Sequence, residues 1–99
     1  MVIAGLLAIR LRIGYSKSLK DKRRVLKSLI CKTKNKFNVS ISEVDDLESW
    51  HYAGIGVAFV TNDTIYAQQV LNKLIEYLEG SPEYEIISIS REIMQGGIT

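Results

Sequence analysis

Residues 2–35 read VIAGLLAIRLRIGYSKSLKDKRRVLKSLICKTKN, and within them the hydrophobic repeat changes once. Up to Ile13 it is two. Ile3, Leu7, Ile9, Leu11 and Ile13 share one face, with Val2, Ala4, Leu6, Ala8, Arg10 and Arg12 on the other, which is the signature of a strand. Gly14 and Tyr15 turn the chain, Ser18 is placed to cap a helix, and Asp21 three residues on completes an approximate capping box. From there to about Asn35 the repeat is helical, with Leu19, Val25, Leu26, Leu29, Ile30 and Thr33 on one side.

The rest of the chain repeats the theme. Phe37 to Val44 alternates as a second strand, DDLES (45–49) is a polar connection, and Tyr52 to Thr61 is a third strand containing Gly54 and Gly56. TND (61–63) caps a second helix over 64–79, with Ala67, Val70, Leu71, Leu74 and Leu78 inward, and Gly80 and Pro82 end it. Tyr84 to about Met94 forms a fourth strand, and 96–99 is expected to be a flexible tail after a single domain at 1–95. The order β-α-β-β-α-β, with right-handed crossovers and a central hairpin, predicts an α+β ferredoxin-like sandwich. Its four-stranded antiparallel sheet has the order 4-1-3-2, with both helices on one face and the other face open.

Several segments carry a resemblance. GLLAIRLRI, SLKDKRRVLKSLI, KFNVSISEVDD, GIGVAFVTND and SREI together resemble the YlxP-like family of small bacterial proteins of unknown function, over nearly the whole chain. The resemblance implies the ferredoxin-like fold and assigns no catalytic residue. It also implies a link to translation or ribosome maturation, which is association rather than chemistry.

Composition bounds the remaining options. With 46% hydrophobic and 24% charged residues the chain is an ordinary ordered globular sequence. Its one cysteine, Cys31, excludes an internal disulfide and fits a reducing compartment. The apolar start meets Arg10 too early for a signal peptide or a membrane span, so a cytoplasmic protein with no membrane role is expected. Net charge is +2, yet nine of the thirteen Lys and Arg residues lie in 17–36 beside one acid, Asp21. The remainder holds four cations and ten acids.

On the first helix Lys20, Arg23, Arg24, Lys27 and Lys34 fall on one arc beside the buried face. Such a stripe can track phosphates of structured RNA or the ribosome, or it can be the wet side of a packed helix. Cations crowd the first turns, where the helix dipole favours acids by about 0.3–1 kcal/mol each, so stability alone does not select them. Anion binding explains the crowding. So does neutralisation by acids that the topology brings to the same end: Glu43, Asp45, Asp46 and Glu48 in the hairpin, and Glu79, Glu83 and Glu85 before strand four.

The open sheet face presents Ala4, Leu6, Ala8, Gly54 and Gly56, without the stacked aromatics of sheet-face RNA binding. A homo-oligomer contact is the expectation there, and a bulge at the glycines is the alternative. Asp45, Asp46 and Trp50 form a candidate protein-partner surface, with Trp50 either an anchor or a lid on the core. EVDDLESWH (43–51) lacks calcium-loop spacing, and His51 has no second His or Cys to make a transition-metal site. No nucleophile–base pair, phosphate-binding glycine loop, acylphosphatase-like cradle or copper-chaperone cysteine pair is present. The reading is therefore a non-enzymatic binding protein without cofactor, metal or evident small-molecule ligand. It contacts RNA through the first helix or, alternatively, is an oligomeric interaction module with no nucleic-acid role.

Overall fold

A computed structural model of the chain describes residues 1–97. The elements are β1 (Val2–Arg12), α1 (Leu19–Lys36), β2 (Ser40–Asp45), β3 (Tyr52–Thr61), α2 (Thr64–Glu79) and β4 (Glu85–Gly96). They build one antiparallel sheet in the order β2-β3-β1-β4, the order expected from the sequence read from its other end. Ile9 lies opposite Ile55 on β3 and Ile89 on β4, which fixes the register across the sheet centre.

Ile3, Leu7, Ile9 and Leu11 of β1 are buried with Ala53, Ile55, Val57 and Phe59 of β3. Val25, Leu26 and Leu29 of α1 and Ala67, Leu71, Leu74 and Leu78 of α2 close over them. Each fully buried side chain of this size contributes roughly 1.5–3 kcal/mol relative to exposure. Gly5 sits on this inner face because the Phe59 ring occupies the space that a Cβ would need. Helix α1 lies over the β2 side and α2 over β1, β3 and β4.

The caps form as their residue types require. Ser18 Oγ accepts the Asp21 N–H at 3.1 Å, and Asp21 Oδ2 accepts the Lys17 N–H at 3.0 Å. Asp63 caps α2 by accepting the Ile65 N–H at 3.0 Å. Two boundaries move. Strand β2 starts at Ser40 rather than Phe37, because the Phe37 N–H is spent on the Thr33 carbonyl at the end of α1, at 2.8 Å. The Phe37 ring packs edge-on against Tyr77, with centroids 5.6 Å apart. Strand β4 continues to Gly96, paired with Val2, into the stretch expected as tail. Ile98 and Thr99 of that tail lie outside the described residues.

Candidate nucleic-acid interface

Helix α1 divides its cations between two environments. Lys22 falls in line with Leu26, Leu29 and Thr33 on the inner side and is wholly buried. Its ammonium donates to the carbonyls of Asp46 at 2.8 Å, Tyr52 at 3.1 Å and Leu47 at 3.4 Å. Glu43 Oε2 lies 3.0 Å away and neutralises it. Glu43 reaches this spot because it pairs with Ile55 and so points to the helix side of the sheet. A buried ammonium is tolerated only when paired and hydrogen-bonded, and both conditions hold. The basic run hid this residue in the sequence. The signal that could have found it is angular: three and four residues after 22 the helix carries Val25 and Leu26, both core positions.

The hairpin tip is gripped from the other side as well. Asp46 takes a left-handed backbone, φ 60°, and its Oδ2 accepts from Arg10 Nε at 3.0 Å. The Arg10 guanidinium also lies 4.6 Å from the Tyr52 ring centroid. Arg12 pairs loosely with Glu85 at 3.8 Å. The acidic rim is thus partly neutralised, but by buried Lys22 and by two β1 arginines.

Lys20, Arg23, Arg24, Lys27 and Lys34 are all exposed along one side of α1. Arg24 makes one exposed contact, 3.8 Å to Asp21, of the kind that contributes little. Among the described residues Lys20, Arg23, Lys27 and Lys34 have no ion-pair partner. The structure brings these five together as a stripe on which, among the described residues, the Arg24–Asp21 contact is the one ion pair.

The other candidate residues are placed as follows. Leu6 and Ala8 line a shallow trough of about 410 Å³ on the open face, bordered by Ser42 and Val44 on one side and Ser90 and Glu92 on the other, while Ala4 lies beyond it on the same face of β1, opposite Val60 and Met94. Gly56 borders it too, and Gly54 lies further along the same face, opposite Arg10, but the small size of both has a cause within the chain. A bulge between Glu43 and Asp45 folds β2 over them, so a Cβ at Gly54 would lie 2.6 Å from Asp45 Cβ and one at Gly56 3.2 Å from Val44. Tyr52 belongs to the same face, opposite Arg12, and is covered by Arg10 rather than offered for stacking. Of the hairpin candidates, Asp46 is committed to Arg10 and Lys22. Asp45 accepts the Asp46 N–H at 2.9 Å. Trp50 is 52% exposed, so it does not serve as a lid on the core.

His51 Nδ1 lies 3.3 Å from the Ile13 carbonyl, and its own carbonyl accepts the Ile13 N–H at 2.6 Å, so the residue ties β1 to the hairpin. Cys31 is exposed on α1. Among the described residues no three His, Cys, Asp or Glu side chains gather as metal ligands, and no helix is long and apolar enough to cross a membrane. A cleft of about 280 Å³ separates the helices between Leu29, Lys32, Tyr77 and Tyr84. Tyr84 donates its hydroxyl to the Leu78 carbonyl at 2.6 Å. Burial first, and the neighbouring Tyr77 second, push its phenol up to about 12.

Over 68 residues the chain is 37% identical to the uncharacterized protein YlxP of Bacillus subtilis, covering 69% of this chain and 74% of that one. A family model described as a protein of unknown function, DUF503, matches residues 4–91, which hold both helices, β2 and β3 whole and part of β1 and β4. The chain belongs to that family, the DUF503 or YlxP-like proteins.

Proposed function

We propose that this protein is a cytoplasmic, non-enzymatic accessory factor that binds structured RNA, in the ribosome or on its way there, through one face of α1. Lys20, Arg23, Arg24, Lys27 and Lys34 contact phosphates. Recognition follows the shape of an A-form helix rather than its sequence, since the stripe offers charge and no base-stacking surface.

One observation supports this reading above the alternative of a merely solvated helix. Of the seven acids expected to neutralise the helix start, Glu43, Asp46 and Glu85 pair with Lys22, Arg10 and Arg12, and among the described residues none of the seven pairs with the stripe. A set of neighbouring exposed cations costs self-repulsion and opposes the helix dipole in the first turn, and a polyanion relieves both.

The test is a filter-binding or mobility assay of full-length protein with ribosomal RNA, comparing wild type with the variant Arg23→Glu, Arg24→Glu, Lys27→Glu. Loss of binding in a folded triple variant is expected. Undiminished binding by that variant, or no wild-type binding at low salt, rejects the assignment.

A further inference from the structure

We infer that the outer edge of β4 is a docking edge for a second copy of this chain, the two β4 strands pairing antiparallel so that two sheets become one. Strand β4 has 12 residues, pairs with β1 on one side, and has no strand on the other among the described residues. Long edges of this kind template further pairing unless they are blocked. The opposite edge is blocked: β2 has 6 residues and is kinked by its bulge. Strand β4 has neither proline nor lysine, and its irregularity lies near the start, before Ser88.

A second observation points the same way. Ile89 lies opposite core residue Ile9 and therefore faces the helix layer, yet it remains 41% exposed. Helix α2 reaches β4 at Asn72, which accepts from Arg91 at 2.7 Å, and Ile89 stays only partly covered. A strand laid alongside would cover it.

The occupant follows from self-complementarity. An antiparallel pair about a two-fold axis makes each contact twice. With the axis at Ser90, that small neutral residue meets its own copy. Ser88 then faces the partner's Glu92 on the open face, and Ile89 lies under the stem of the partner's Arg91 on the helix face. No like charges stand opposite each other. An axis at Arg91 or Glu92 would set like charges directly opposite, which is destabilising. This pairing keeps both helix layers on one side of the joined sheet and α1 at each outer flank, over β2. The inference therefore stands whether or not α1 binds RNA.

Sedimentation of the full chain from micromolar to millimolar concentration tests it. A wild-type dimer is expected, with Ile89→Lys raising its Kd by about tenfold or more while the circular dichroism is unchanged. Leu6→Lys, in the open-face trough, is expected to leave the dimer intact. A wild type that stays monomeric, or a dimer that survives Ile89→Lys, overturns the inference. Should Ile89→Lys fail to fold, oxidation of Ser90→Cys in a Cys31→Ser background decides: an interchain disulfide is expected, and its absence rejects the pairing.

Discussion

Lys22 shows how one side chain can read as surface in a sequence and act as core in the fold. It is wholly buried on the side of α1 that carries Leu26 and Leu29, and its ammonium serves three carbonyls and Glu43. Replacing it with methionine keeps the stem and removes every one of those bonds. Breaking a buried pair by deleting one partner costs about 3–5 kcal/mol. Lys22→Met is expected near the lower end, because the Glu43 side chain retains 19% exposure and some water. Urea unfolding measures the loss. Lys22→Met combined with Glu43→Leu should cost less than the two single changes summed, since the second change removes the stranded carboxylate. A Lys22→Met protein as stable as wild type would mean that the ammonium contributes nothing net. Lys22 was legible by its angle on the helix and concealed by its charge. The grip of Arg10 on Asp46 was not legible, because it spans 36 positions and depends on a left-handed residue in the hairpin.

At the scale of the element, α1 sets stability and binding against each other. Lys20 is exposed in the first turn, where backbone N–H groups make the helix end positive. Lys20→Glu reverses an unfavourable interaction and places a carboxylate one turn before Arg24, a favourable spacing. It is expected to raise stability by about 0.3–1 kcal/mol and to weaken RNA binding at the same time. Thermal unfolding and the binding assay read the two effects independently. A stabilised variant with unaltered affinity would place Lys20 outside the interface. Helix boundaries were legible within a residue at α1 and α2 because the caps are local chemistry: Ser18 and Asp63 accept from amides two or three residues away. The start of β2 was not. Phe37 alternates with Val39 and Ile41 as a strand residue would, but its amide closes the helix before any sheet partner is available. What sits above the β3 glycines was open in the sequence for a related reason: the space above Gly54 is filled by Asp45 of the neighbouring strand, and a bulge is needed to bring it there.

For the whole molecule the informative quantity is where the charge remains after folding. A net charge of +2 conceals a basic helix and an acidic remainder. Among the described residues one ion pair joins them, Lys22 with Glu43 at one end of the sheet, where Arg10 and Arg12 of β1 take up Asp46 and Glu85. The sequence supported the sign asymmetry and the shared end. It did not distinguish cations that would be consumed internally from those left outside, since that depends on side-chain direction. The distinction has a consequence in solution. Each phosphate neutralised releases counterions, so log K falls against log salt with a slope of about −0.7 to −0.9 per contact. Five contacts from Lys20, Arg23, Arg24, Lys27 and Lys34 give a slope of about −3.5 to −4.5. Lys34→Glu, remote from the acidic rim, should flatten it by about one. Arg12→Gln should leave it unchanged, because that arginine already faces Glu85. If Arg12→Gln flattens the slope and Lys34→Glu does not, the polyanion lies against the hairpin end of the sheet and the α1 stripe is only its solvated side.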